Sequence, residues 1–379
     1  MLHSEAAALL PPSVLRSLSD KLYDKRKAAA LEVEQVTKTL ASSKDWHSVD
    51  ALISMLVEDY TRSPQANHRK GGLIGLAAAT VGLGTNTEKH LMRIVPPVLD
   101  SFADQDSRVR YYACEALYNI AKQVGRDSFI MFFNDVFDAL CKLSADADPN
   151  VQNAAHLLDR LVKDIVTESR TFSIESFIPL LHERLNVHNP YVRQFLVGWI
   201  TVLDSVPDID MLEFLPEFLD GLLNMLSDPN REIRQQADSA LAEFLQEIKA
   251  SPGVDYGRLS QILVARAGSM DEFTRLTAIT WLHEFVDLGT DKLLPYVADV
   301  LGAILPCISH PEDRIREVSA RTNGKLLELF DQEQHDDFDI GPIMQVVRRE
   351  MGSGQEATRL KALRWIGSML ESSRSAVLK

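Results

Sequence analysis

A short pattern recurs at an almost constant interval along this chain, and it constrains the fold more than any other feature. A polar turn is followed by a branched residue and then, in nearly every copy, by arginine. The second member of each pair falls at Arg110, Gln152, Arg193, Arg234, Arg275, Arg316 and Arg359, at intervals of 42, 41, 41, 41, 41 and 43 residues. Earlier copies lie at Arg69 and Arg26. A period this regular indicates a repeat array in which each unit packs on its neighbours.

Each repeat predicts two helices joined by a turn. Residues 94–102 form an apolar segment with prolines near its start, where a missing N–H is tolerated, and residues 104–107 form a polar turn. The helix that follows presents one apolar face at helical spacing, formed by Ala113, Ala116, Leu117 and Ile120. The pattern predicts an all-α fold, an α-solenoid of HEAT-like helical hairpins with a period of about 41 residues and eight to nine repeats.

The repeat also predicts the domain organisation. We expect an N-terminal tail over residues 1–12, a single solenoid over 13–371 and a C-terminal tail over 372–379. The predicted units lie near residues 13–40, 46–84, 91–124, 129–167, 174–206, 211–249, 255–289, 292–330 and 338–371.

Composition excludes several classes of function. The net charge of -14 argues against a nucleic-acid binder or a polybasic membrane binder, since both need clustered Lys and Arg. The three cysteines show no CxxC spacing, so neither a zinc framework nor a disulfide scaffold is predicted. No apolar run approaches the length of a membrane span and the N-terminus lacks a signal-peptide pattern, which together predict a cytoplasmic protein.

No motif predicts catalysis, a cofactor or a metal. The segment at 144–150 spaces two aspartates like a calcium loop but lacks the required Gly and Glu. Gly71, Gly72 and Gly75 fit no nucleotide-binding fingerprint and are more typical of close helix packing. The histidines show no HExxH spacing, and GxSxG is absent. We therefore expect no enzymatic activity and no cofactor.

The charged residues of the turns have a structural interpretation. The turn aspartates are expected to cap the second helix and to pair with the arginine of their own or an adjacent unit, which would form a ladder of ion pairs along the repeats. Asp106, Asp148 and Asp228 would continue this ladder, and Gln152 would interrupt it.

Two further surfaces stand out. The basic run of Lys21, Lys25, Arg26 and Lys27 is expected to be the polar outer face of a terminal repeat, and the alternative is contact with an acidic partner or anionic lipid. Near the other end, Leu360, Trp365, Met369 and neighbouring apolar residues predict a helix that another unit would cover.

Several strings are more specific than a repeat consensus. They include residues 19–32, 67–78, 106–122, 156–169, 177–186 and 203–212. Through them the chain resembles the N-terminal half of the vacuole-morphology scaffold family, the HEAT-repeat regulator of the phosphatidylinositol 3-phosphate 5-kinase.

The resemblance implies a non-catalytic scaffold. It would bind a PIKfyve-type lipid kinase and a Sac-type phosphoinositide phosphatase, and so control phosphatidylinositol 3,5-bisphosphate. It would act peripherally, through its partners, at the cytosolic face of vacuolar and endosomal membranes. The family's C-terminal half carries self-association, which implies assembly through a half that this chain lacks.

The repeat geometry suggests where the kinase docks. Turns that recur at one period line one edge of an array and are free of packing duties. We therefore predict a partner site at Gln65, His68, Arg69, Gln105 and Asp106. The alternative function is a HEAT-repeat adaptor for other proteins, which the repeat pattern alone does not separate from the scaffold.

Overall fold

A computed structural model describes residues 8–251, 253–332 and 339–372. These residues are helical throughout apart from turns, and the described ranges contain no β-strand. The all-α prediction is confirmed. Residues 1–7 of the predicted N-terminal tail and 373–379 of the predicted C-terminal tail lie outside the described residues.

The chain divides into two compact units, residues 1–180 and 181–379, with the boundary inside α10. The first unit holds α1 (Pro12–Leu18), α2 (Tyr23–Ser42), α3 (Trp46–Met55), α4 (Ala66–Leu83), α5 (Leu91–Asp100), α6 (Ser107–Gln123), α7 (Arg126–Ile130), α8 (Phe133–Leu143), α9 (Pro149–Glu168) and the start of α10 (Ile174–Arg184). A π-helical turn (Leu56–Thr61) and 3₁₀ turns (Gly84–His90, Ser101–Ala103) connect some of them.

The second unit continues the same alternation of helix and turn. It holds the rest of α10, then α11 (Pro190–Asp204), α12 (Met211–Met225), α13 (Arg231–Ala250), α14 (Tyr256–Ala267), α15 (Glu272–Gly289), a 3₁₀ segment (Thr290–Tyr296), α16 (Val297–Cys307), α17 (Asp313–Gln332), α18 (Gly341–Met351) and α19 (Glu356–Ser372). The division into nine repeats along a single solenoid stays a prediction.

In the first unit the second helices of successive hairpins, α2, α4, α6 and α9, pack side by side. The apolar face predicted for α6 is entirely buried, with its four residues at 2% exposure or less. Gly71 and Gly72 allow α4 to approach its neighbours closely. A Cβ at Gly71 would lie 2.0 Å from the Leu18 carbonyl oxygen, and one at Gly72 would lie 2.4 Å from the Thr61 Oγ1. The packing interpretation of these glycines is confirmed.

In the second unit three tryptophans anchor second helices in the core. Trp199, Trp281 and Trp365 are all buried, and Trp365 Nε1 donates a hydrogen bond to Asn323 Oδ1 at 2.9 Å. The expectation that Trp365 and Met369 lie on an uncovered face is therefore wrong, because both are fully buried. They sit on the face of α19 that turns inward, and Leu360 and Leu363 remain about half exposed.

The periodic residue has one constant role in both units. Its side chain donates a hydrogen bond to the backbone carbonyl six residues earlier, at the turn between the two helices of a hairpin. The donor and acceptor pairs are Arg26 to Asp20, Arg69 to Ser63, Arg110 to Asp104, Gln152 to Asp146, Arg193 to Val187, Arg234 to Asp228, Arg275 to Ser269, Arg316 to His310 and Arg359 to Ser353. These bonds satisfy backbone carbonyls of the turn, just beyond the end of the first helix.

Three of the arginines also form ion pairs with the next turn. Arg110 Nε and Nη2 lie 2.7 and 2.9 Å from the two carboxylate oxygens of Asp146. Arg69 pairs with Asp104 in the same way, and Arg193 pairs with Asp228. The two-pronged pairs of Arg69 and Arg110 are stronger than single contacts.

The ladder runs through different aspartates from those predicted. Asp106 and Asp148 do not join it, because they cap α6 and α9 by accepting bonds from backbone N–H groups. Asp104 and Asp146, two residues earlier, form the ion pairs, and Asp228 occupies the equivalent position as predicted. Capping requires a residue directly before the helix, which leaves the earlier position free to face the neighbouring repeat.

We expect Arg110→Ala to lower the free energy of unfolding by about 3 kcal/mol, because it leaves the largely buried Asp146 carboxylate without its partner. Urea denaturation would measure this. Arg108→Ala is the matched control, since Arg108 is exposed on the same helical turn. Equal effects of the two substitutions would contradict a structural role for the ladder.

Asp204 predicts a pH dependence of stability. Burial, together with the nearby Glu247 carboxyl, raises its pKa to about 7. The pKa of Asp204 in the folded chain exceeds the ordinary value of 3.8. The contribution of this carboxyl to the free energy of unfolding is therefore fully present below pH 3.8 and is lost as the pH rises through 7. Asp204→Asn should therefore stabilise the chain by about 1 kcal/mol at pH 8, a value reduced for partial exposure, and have little effect at pH 4.

Thermal unfolding at both pH values would test this, with Asp238→Asn, an exposed acid on α13, as control. A stabilisation by Asp204→Asn that is the same at both pH values would contradict it.

Candidate partner-binding surface

The residues predicted for partner binding lie at two adjacent turns of the first unit. Gln65 precedes α4, and His68 and Arg69 occupy its first turn. Gln105 lies between α5 and α6, and Asp106 is the N-cap of α6. The Arg69 to Asp104 ion pair, with Nε 2.7 Å from Oδ2, holds the two turns together.

These five residues differ in what they offer to a partner. Arg69 is committed to the Ser63 carbonyl and to Asp104, and its side chain is only 13% exposed. Asp106 accepts bonds from two backbone N–H groups of α6. The His68 ring packs beside Tyr60 with ring centroids 5.6 Å apart. The two turns line one edge of the unit, which we call the turn edge. Gln65 and Gln105 are exposed and form the accessible part of the turn edge.

The predicted basic patch is smaller than the sequence suggested. Arg26 does not belong to it, because its side chain turns inward, is 3% exposed and donates to the carbonyls of Asp20 and Lys21. Lys25 is paired with Asp20 at 3.1 Å. Lys21 and Lys27 remain exposed. The cause is the repeat itself, since Arg26 is the first of the periodic arginines.

A groove between α6 and α9 was not predicted. It encloses about 450 Å³. Its walls are formed by Tyr111, Glu115 and Tyr118 of α6 and by Ala154 and Leu157 of α9, with Cys114 at the floor. Leu157 is 57% exposed and Tyr111 36% exposed. The spacing of Tyr111, Glu115 and Tyr118 on one helical face, opposite the apolar face of α6, is the sequence signal that could have indicated this groove.

Burial shapes the ionisation of the groove. It raises the pKa of Glu115, and Lys27 of α2 opposes that shift. It also raises the pKa of the Cys114 thiol to about 12, so this thiol stays protonated and is a poor nucleophile at neutral pH.

Among the described residues no three His, Cys, Asp or Glu side chains are grouped so as to hold a metal ion. No helix in the described ranges combines the length and apolar character that a membrane span requires.

Comparison with known proteins gives the family. A model of the Vacuolar 14 Fab1-binding region matches residues 67–164, and a HEAT-repeat model matches residues 218–248. The VAC14 homolog of Arabidopsis thaliana is 67% identical over 99% of this chain and 50% of its own length. The chain belongs to the VAC14 family. Its α-solenoid of HEAT-like hairpins agrees with the predicted fold class.

Further relatives show the same relation to the VAC14 family. The VAC14 homolog of Schizosaccharomyces pombe is 32% identical over 93% of this chain and 56% of its own length. The vacuole morphology and inheritance protein 14 of Saccharomyces cerevisiae is 39% identical over 62% of this chain and 31% of its own length. The chain thus spans about half the length, or less, of the curated relatives it matches. A solved complex of Kap95p with RanGDP is 15% identical, with a TM-score of 0.45 over 96% of this chain and 45% of the solved chain.

The Fab1-binding match covers the groove and most of the turn edge. It includes His68, Arg69, Gln105 and Asp106, and Gln65 lies just before it. It also includes every residue that lines the α6–α9 groove.

Because Arg69 is structural, we expect Arg69→Glu to destabilise the chain by about 3 kcal/mol through repulsion from the buried Asp104 carboxylate. Arg62→Glu is the matched control, since Arg62 pairs with the exposed Glu58 and its reversal should cost less than about 1 kcal/mol. Chemical denaturation separates the two. If both substitutions changed the free energy of unfolding only slightly, Arg69 would again be a candidate for direct contact with a partner.

Proposed function

We propose that this chain is a non-catalytic scaffold that binds a Fab1-type lipid kinase, a phosphatidylinositol 3-phosphate 5-kinase, through residues 67–164. The match of this segment to a Fab1-binding region carries the proposal. The 67% identity to a VAC14 homolog over nearly the whole chain supports it.

The geometry suits such a role. The second helices of the first unit stack into a continuous surface, and the periodic arginines keep the intervening turns in register. Exposed Gln65 and Gln105 project from two of these turns and have no packing role to lose. We place the kinase along this turn edge. Arg69 and Asp106 would support the shape of the edge from within.

The wider function of the family extends the proposal. The chain would also contribute to holding a Sac-type phosphoinositide phosphatase, and so to the synthesis and turnover of phosphatidylinositol 3,5-bisphosphate. It would reach vacuolar and endosomal membranes through its partners. A relative named for vacuole morphology and inheritance supports the vacuolar location.

The kinase should co-purify with this chain, and charged substitutions at Gln105 should reduce its recovery several-fold. Gln105→Lys and Gln105→Glu test both signs of charge. Met270→Lys is the matched control, because Met270 is 94% exposed and precedes Arg275 by the same five residues that separate Gln105 from Arg110.

Thermal unfolding of each variant verifies the fold. Full kinase recovery by both Gln105 variants would remove the turn edge from the interface. Recovery of unrelated proteins without the kinase would favour a general HEAT-repeat adaptor.

A further inference from the structure

The environment of the Glu115 carboxylate favours the binding of a cation. It lies half-buried in the α6–α9 groove, and burial raises its pKa. Within the part of the chain that the structure describes, no group donates a hydrogen bond to its carboxylate and no cation forms a contact ion pair with it. Lys27 acts on it only through the longer-range field. A half-buried carboxylate without a partner is destabilising, so a cation placed beside it would be bound favourably.

Aromatic rings flank this carboxylate on the same helical face. Tyr111 lies four residues before Glu115 and Tyr118 three residues after it, so the three side chains are neighbours on α6. Lys122 already lies over the Tyr118 ring, with Nζ 5.4 Å from the centroid. The Tyr111 ring is 36% exposed, and no cation lies over it among the described residues. Aromatic faces attract cations, most strongly where water is partly excluded.

The same unit already pairs an arginine with a tyrosine next to this groove. The Arg26 guanidinium lies 5.3 Å from the centroid of the Tyr112 ring, and Arg26 Nη2 donates to the Tyr112 hydroxyl at 3.0 Å. Tyr112 in turn meets Tyr111 edge to face, with centroids 5.4 Å apart. The first unit thus holds one of its own guanidinium groups against a buried tyrosine beside the groove.

We propose that the α6–α9 groove binds an arginine side chain of a protein partner, with Glu115 accepting from the guanidinium and Tyr111 stacking on it. The Leu157 and Ala154 side would receive the apolar stem of the arginine. A planar guanidinium suits a slot between two helices better than an ammonium, because it pairs with a carboxylate through two bonds and stacks on a ring.

Other occupants fit the groove less well. An apolar side chain would bury the Glu115 carboxylate further without a partner, which is unfavourable. A phosphate-bearing headgroup would be repelled by it. The identity of the partner rests on the proposed function, in which the lipid kinase supplies the arginine. The arginine site itself does not rest on the proposed function.

The first experiment uses the whole chain and a defined probe, the tripeptide acetyl-Gly-Arg-Gly-amide. Its neutral counterpart carries citrulline in place of arginine. With isotope-labelled tyrosine and leucine, the arginine peptide should shift the Tyr111 ring and Leu157 methyl resonances saturably, and the citrulline peptide should not. Glu115→Gln should weaken the binding about tenfold, which corresponds to the loss of one charge-assisted contact.

Glu32→Gln, an exposed acid on α2, should leave the binding unchanged. Absence of shifts, equal shifts from both peptides, or full binding by Glu115→Gln would each overturn the site.

The second experiment separates the site from the proposed function. Kinase recovery with Glu115→Gln should fall about tenfold if the kinase supplies the arginine, and Tyr111→Leu should lower it as well. Failure of the wild-type chain to recover the kinase overturns the proposed function, and the peptide titration still decides the arginine site. Full recovery by Glu115→Gln overturns the assignment of the arginine to the kinase and leaves the proposed function intact.

Discussion

The hydrogen bond from each periodic side chain to the carbonyl six residues earlier is the interaction on which the repeat depends. The tight turn that follows the first helix leaves backbone carbonyls without donors of their own, and a buried unpaired carbonyl is unfavourable. Arginine reaches back from the second helix to satisfy them and so fixes the length of the turn. Gln152 makes the same bond at 2.5 Å without the charge, which shows that the carbonyl contact is the shared requirement.

The ion pairs are a second use of the same side chain. Arg110 holds its own turn with Nη1 and the next turn, through Asp146, with Nε and Nη2. Arg234 holds two carbonyls of its own turn, and the equivalent position of the next turn is Ser269. The cross-repeat pair is therefore optional and depends on the residue that the neighbouring turn offers. Where it forms, burial makes it sensitive to the removal of either partner.

The segment matched by the Fab1-binding region presents two surfaces of different chemistry. One is a polar turn edge with exposed Gln105, which Gln65 extends just before the segment, and the other is an aromatic groove that contains the half-buried Glu115 carboxylate. Both are held by second helices whose opposite faces are buried. A rigid support of this kind lowers the entropy lost on binding and so raises the affinity for a partner.

The sequence by itself determined the period, the hairpins, the buried face of α6, the close packing at Gly71 and the structural role of the turn charges. These are local properties, because helical spacing, capping and the reach of one side chain act within a few residues. The tertiary structure decided that Asp104 and Asp146 form the ladder while Asp106 and Asp148 cap, and that Arg26 is buried within a basic run. It also decided the groove, which joins side chains of α6 and α9 some 40 residues apart. Such features depend on how neighbouring repeats pack against each other. The sequence of a single repeat does not show which side chain its neighbour presents to it.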